Sequence, residues 1–156
     1  MQTKYDVIVI GAGSAGLTSA VGLAKIGKKV LLIEREHIGG ECTNSGCIPS
    51  KALLHQAKSY FEATRISGHN GNTENYRRTA FSYVKEKITE TLANETPEYF
   101  QSLGIKVIFG EAIFTSPSNI TVNNTEFSFK KAIIATGSSP RLISVRGLEN
   151  EKIFIN

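Results

Sequence analysis

The chain has 156 residues, 40% of them hydrophobic and 21% charged, with a formal net charge of +4. That length and balance suit one globular domain with a sizeable core and fall short of two large ones. The basic excess is dispersed as Lys28-Lys29, Arg77-Arg78 and Lys130-Lys131, not massed into a nucleic-acid footprint, and the apolar runs are far too short to span a bilayer.

Residues 5–10, Tyr-Asp-Val-Ile-Val-Ile, read as a strand buried on both faces, ending at Gly11. Gly11-Ala-Gly13-Ser-Ala-Gly16 follows and opens a helix over 14–26, which Gly27 terminates, with Lys25 and Lys28-Lys29 at the negative end of its dipole. A second apolar strand covers 30–33, with Glu34 at its tip. Strand, helix and strand make a βαβ unit with a right-handed crossover and a parallel sheet. A helix is expected over 50–66, then a polar connector over 67–78. Phe81, Val84, Ile88 and Leu92 recur at three- and four-residue spacing, marking an amphipathic second helix. Thr96-Pro97-Glu98 supplies an N-cap, a proline for the first turn and an acid beside it, so a short helix over 97–103 is expected, ended by Gly104. A strand at 105–109 follows, then three short strands near 111–114, 119–122 and 126–130, with Asn123-Asn124 in a turn. The last strand, 132–135, runs into Thr136-Gly137. No internal repeat is visible.

The glycine pattern carries chemistry by geometry. Gly11 permits a tight turn, Gly13 lets backbone approach a pyrophosphate, and Gly16 lets the helix pack on the strand, while the first helical N–H groups face the phosphates. Glu34, about 20 residues on, is placed to accept hydrogen bonds from a ribose.

Cys42 and Cys47 are the only cysteines. A structural staple across so short a loop would remove only about 2 kcal/mol of unfolded-state entropy. A zinc site would need partners, and His37, His55 and His69 show no matching spacing; they read as surface or helix residues. Redox exchange is the leading reading. In a regular helix five residues rise about 7.5 Å, more than a disulfide tolerates, so the pair is expected on a loop or a distorted helix entry, which Gly46 and Pro49 fit. A thiol near a helix N-terminus is activated, and Lys51, four residues beyond Cys47, adds positive charge from the same side. The N-terminus lacks a signal-peptide pattern, and a cytoplasmic location is expected, where a disulfide is usually catalytic or sensing.

The glycine fingerprint, Gly39-Gly-Glu-Cys42 through Cys47-Ile-Pro-Ser-Lys51, and Ala135-Thr136-Gly137 stand in the order found in class I pyridine nucleotide-disulfide oxidoreductases. The chain resembles that family along essentially its whole length, nearest its mercuric reductase-like branch. The resemblance implies an α/β fold: a Rossmann-like FAD-binding domain with a parallel sheet and a small antiparallel three-stranded meander. It implies that Gly11, Gly13, Gly16 and Glu34 hold the ADP half of FAD. Cys47 would lie over the flavin as charge-transfer thiol, Cys42 would be the interchange thiol that attacks substrate, and Lys51, Thr136 and Gly137 would lie near the cofactor. Electrons would pass from NAD(P)H through FAD to the Cys42-Cys47 disulfide, and on to a disulfide or metal-ion substrate. The nicotinamide-binding domain, the second FAD-contacting segment and the interface domain with its His-Glu pair are not in these residues, and Arg141 to Gly147 departs from the family's proline-rich form. Residues 1–156 are therefore expected to be the N-terminal FAD-binding portion of a homodimeric enzyme, inactive alone. Two other readings stay open: a non-catalytic nucleotide-binding fragment with spectator cysteines, and an NAD-dependent Rossmann dehydrogenase fragment.

Overall fold

A computed structural model describes residues 4–68, 73–141 and 147. Residues 69–72 of the polar connector, His69 among them, and most of the segment after Arg141 lie outside them. In chain order the elements are β1 (Lys4–Ile10), α1 (Ser14–Lys25), β2 (Val30–Glu34), α2 (Gly40–Asn44), α3 (Cys47–Ser67), α4 (Thr73–Ala93), α5 (Pro97–Ser102), β3 (Ile105–Phe109), β4 (Ala112–Ser116), β5 (Asn119–Val122) and β6 (Thr125–Ile134).

The six strands form one mixed sheet in the order β3-β2-β1-β6-β5-β4. β1 pairs in parallel with β2 and β6, and β2 with β3, whereas β4, β5 and β6 form an antiparallel meander. This is the Rossmann-like α/β fold expected from the sequence. The Asn123-Asn124 turn closes the β5–β6 hairpin with both residues at positive φ, 49° and 60°, the conformation whose twist matches that of paired strands.

Both faces of the parallel strands are covered. On one, Val7, Val9, Val30, Leu32 and Ile105 pack against Leu17 and Ala20 of α1 and Phe100 of α5. On the other, Ile8, Leu31 and Ile33 pack against Ile120, Val122, Phe127 and Phe129, so the meander lies across the sheet as a second layer. Its turn is tied there: Asn123 Nδ2 donates to the Phe109 carbonyl at 2.7 Å, and Lys106 of β3 lies over the Phe127 ring.

Three boundaries differ from expectation for identifiable reasons. The strands expected at 126–130 and 132–135 are one, because residues 125–128 pair with β5 and residues 128–134 continue onto β1. Helix α3 begins at Cys47, three residues early, with Pro49 accommodated in its first turn. Helix α4 begins at Thr73, inside the expected connector. Its polar first turns are supported by α3, against which Tyr76 stacks on Tyr60 with ring centroids 4.1 Å apart.

Candidate dinucleotide and dithiol site

At the carboxyl ends of β1 and β6 the chain turns sharply. Gly11 has φ +98°, its N–H donates to the Ile33 carbonyl at 2.7 Å, and a Cβ there would lie 2.3 Å from the Ala135 oxygen. A Cβ on Gly16 would fall 1.8 Å from the Gly11 oxygen. These two glycines are dictated by the fold itself. Gly13 is different: its backbone is extended, at φ −77° and ψ −177°, and a Cβ would meet nothing nearer than the Gly40 Cα at 4.0 Å. Helix α1 starts from Gly13 with no side-chain cap and no acid in its first turn, which leaves N–H donors and a positive dipole end for an anion. An open glycine at an uncapped helix start fits a dinucleotide's pyrophosphate.

Glu34 already has partners. Its Oε2 accepts from the Ala12 N–H at 2.6 Å and its Oε1 from the Glu36 N–H at 2.8 Å. The carboxylate thereby ties the end of β2 to the glycine turn, and each oxygen retains a lone pair for a further donor such as a ribose hydroxyl. Thr136 and Gly137 are exposed just beyond β6, where the Ala135 N–H donates to the Ile10 carbonyl at 2.8 Å.

The cysteine segment is built onto this turn. The Gly39 N–H donates to the Ala12 carbonyl at 2.8 Å, Gly13 and Gly39 form a parallel bridge, and a Cβ on Gly40 would lie 2.9 Å from the Gly13 Cα. From there α2 carries Cys42, the chain breaks at Ser45 and Gly46, and Cys47 opens α3. The break has a tight closure, the Gly46 N–H donating to the Glu41 carbonyl at 2.6 Å. This is the distorted helix entry that the rise arithmetic required. Asn44 Nδ2 braces it by donating to the Gly40 carbonyl at 2.8 Å and the Ile38 carbonyl at 3.1 Å.

Neither cysteine is disulfide-bonded in this structure; Cys42 is half-buried and Cys47 exposed. Their ionisations are linked. Cys42 is lowered below an ordinary thiol, first by a hydrogen bond from the Cys47 side chain, then by Ser14, with Lys51 and the Cys47 backbone N–H also contributing against the opposing cost of burial. Cys47 is raised, first by that hydrogen bond to Cys42 and by its charge. The surroundings therefore favour ionisation at Cys42 over Cys47. Lys51 sits exposed on α3, and its charge favours the thiolate at both positions.

Of the histidines, His37 is exposed in the turn after β2, and His55 stacks on Tyr83 between α3 and α4 with ring centroids 6.0 Å apart. Among the described residues no group of three or more His, Cys, Asp or Glu side chains is placed to hold a metal ion. No helix among them is long and apolar enough to cross a membrane. Sequence reasoning did not single out Ser14, Asn44, Thr43 or Glu95. Asn44 has a local signal, a capping-type amide beside a glycine break; the Thr43–Glu95 contact spans 52 residues and has none.

Fold and site together define a dinucleotide-binding α/β domain carrying a dithiol at its ligand turn. Residues 5–156 match the family described as pyridine nucleotide-disulphide oxidoreductase, and the chain belongs to that family, whose members are FAD-dependent and take electrons from NAD(P)H. A mercuric reductase from Lysinibacillus sphaericus is 33% identical over 95% of this chain and 28% of its own length. A dihydrolipoyl dehydrogenase from Buchnera aphidicola subsp. Schizaphis graminum is 37% identical over 96% of this chain and 33% of its own. Among solved structures, the HOCl-induced flavoprotein disulfide reductase RclA from Escherichia coli superposes with a TM-score of 0.70 at 32% identity, covering 92% of this chain and 31% of RclA. The chain therefore spans about a third of the length of the relatives it matches.

Proposed function

We propose that residues 1–156 form the FAD-binding, redox-disulfide portion of a flavoprotein disulfide oxidoreductase. Electrons would pass from NAD(P)H through FAD to the Cys42-Cys47 disulfide and on to a small disulfide or metal-ion substrate. The observation that carries this reading is the packing of the cysteine segment directly on the ligand-facing glycine turn through Gly13 and Gly39. The names of the relatives, one mercuric and one dihydrolipoyl, support the two substrate classes.

In this reading Gly11, Gly13, Gly16 and Glu34 bind the ADP half of FAD, and Lys51, Thr136 and Gly137 lie near the remainder. FAD held by these residues would supply the hydride chemistry that reduces the Cys42-Cys47 disulfide. The Cys42 thiolate attacks one sulfur of a substrate disulfide and expels the other as a thiolate, forming a mixed disulfide. Cys47, once deprotonated, attacks Cys42 Sγ, releases the second substrate thiolate and closes the Cys42-Cys47 disulfide, so two electrons reach the substrate. The nicotinamide site and the acid-base partner of the substrate would lie in other parts of a longer, cytoplasmic, homodimeric enzyme, and the chain alone would not turn over.

The test is flavin reconstitution followed by two-electron reduction. A long-wavelength charge-transfer band is expected, lost in Cys47→Ser and retained in Cys42→Ser. The reverse pattern would overturn the assigned roles, and flavin-loaded protein that shows no such band on two-electron reduction would remove the reading.

A further inference from the structure

We propose that Glu95 is a positioning residue for the Cys42 thiol, holding α2 against the end of α4 through the hydroxyl of Thr43. Cys42 matters here as the nucleophile of the dithiol chemistry, and the inference rests on that reading. Thr43 is the one buried polar residue among the described residues. It follows Cys42 directly, so whatever fixes Thr43 fixes the turn of helix that presents the thiol. Its Oγ1 donates to Glu95 Oε2 at 3.4 Å. A buried hydroxyl without an acceptor costs about 1–3 kcal/mol, so this bond favours one seating of α2.

The surroundings are shaped for that contact. Gly39, left-handed at φ +89°, leaves space that a Cβ would occupy at 2.6 Å from Thr43 and 2.8 Å from Glu95 Oε2. The same glycine is bridged to Gly13 of the ligand turn, so turn, latch and thiol helix meet at one residue. Glu95 lies two residues past the end of α4 and is half-buried, and burial pushes its carboxyl above the ordinary range. It faces a groove of about 800 Å³ between α1 and the α4–α5 segment, whose charged lining also includes Lys25 and Glu90. On the thiol side, Cys42 is faced by Cys47, Ser14 and Lys51. The side-chain partner the Thr43 hydroxyl has here is Glu95.

The experiment alkylates the reduced chain with iodoacetamide across a pH series and follows Cys42 and Cys47 separately by tandem mass spectrometry. Glu95→Ala and Thr43→Val should each raise the pH midpoint of Cys42 modification by about one unit, because a loosened α2 moves the thiol off one of the hydrogen-bonding neighbours that lower it, Cys47 or Ser14. The double variant should move no further than either single one, because both remove the same contact. Glu95→Gln should keep the parental midpoint, since its amide oxygen still accepts from Thr43. A midpoint unmoved in Glu95→Ala and Thr43→Val, with circular dichroism showing both folded, would overturn the proposal. So would a Glu95→Gln shift as large as that of Glu95→Ala, which would mean the carboxylate acts by charge. If Glu95→Ala does not fold, Thr43→Val and Glu95→Gln decide. The thiol titration needs no flavin, so absence of the charge-transfer band from flavin-loaded protein, with the expected midpoints, would sink the flavin reading and leave the latch standing.

Discussion

Gly13→Ala adds one methyl group at the start of α1, where the backbone is extended at φ −77° and the new Cβ would meet only the Gly40 Cα at 4.0 Å. That is ordinary van der Waals contact in a conformation open to any residue. Alanine is a poorer N-cap than glycine by a few tenths of a kcal/mol or more, and the stiffer unfolded chain returns about 0.4–1 kcal/mol. The net change in stability should stay within about 1 kcal/mol. A ligand whose pyrophosphate rests on that backbone meets the methyl directly, and overfilling a packed contact costs about 1–3 kcal/mol, which is roughly five- to 150-fold in affinity. Gly16→Ala is the contrasting variant, because its Cβ would lie 1.8 Å from the Gly11 oxygen and the helix would have to leave the strand. Thermal melts and titrations with FAD and ADP separate the two: Gly13→Ala should melt like the parent and bind weakly, while Gly16→Ala should melt low. Parental affinity in Gly13→Ala, or a melting point as low as that of Gly16→Ala, would refute the division between ligand-facing and fold-dictated glycines.

In the reduced chain Cys42 should be alkylated at lower pH than Cys47, since its neighbours lower the one thiol and raise the other; a stopped-time alkylation series giving equal rates would contradict that. Glu95→Gln should raise the melting temperature at neutral pH. Burial raises the folded-state carboxyl above its unfolded value, so its ionisation penalises the fold above the folded pKa, and the gain should vanish below about pH 4, where the carboxyl is protonated in both states. Asn44→Ala removes two hydrogen bonds to backbone carbonyls and should lower stability in urea by about 1–2 kcal/mol, with the α2–α3 break as the first segment to gain hydrogen exchange.

The elements legible in the sequence are those whose signals are local. β1, α1 and β2 announce themselves through an apolar run, glycines at fixed offsets and the stop at Gly27, whose N–H closes the helix on the Ala24 carbonyl at 2.9 Å. α5 is equally self-contained: the Tyr99 N–H donates to Thr96 Oγ1 at 3.2 Å, the cap that Thr96-Pro97-Glu98 advertises. α2 has no such signal, being five residues long with no side-chain cap, and it exists because Gly39 and Gly40 seat it on the glycine turn. The early start of α4 comes from its neighbour α3, and the continuity of β6 comes from having β5 beside one end and β1 beside the other. In each case the deciding partner is distant in sequence, and periodicity cannot report it.

That distance also explains why the dithiol and the ligand turn behave as one unit. The link between Gly13 and Gly39 is made by backbone, through the Gly39 N–H on the Ala12 carbonyl and the bridge between the glycines, so exposed side-chain substitutions nearby leave it intact. A Cβ at position 40 would press on the Gly13 Cα at 2.9 Å, and either partner must then move. A pyrophosphate seated on the turn would press on the same contacts, which reach the first turn of α2, two residues from Cys42. A substitution at Gly40 should therefore perturb nucleotide affinity and thiol reactivity together, which FAD titration and an alkylation series on Gly40→Ala would check.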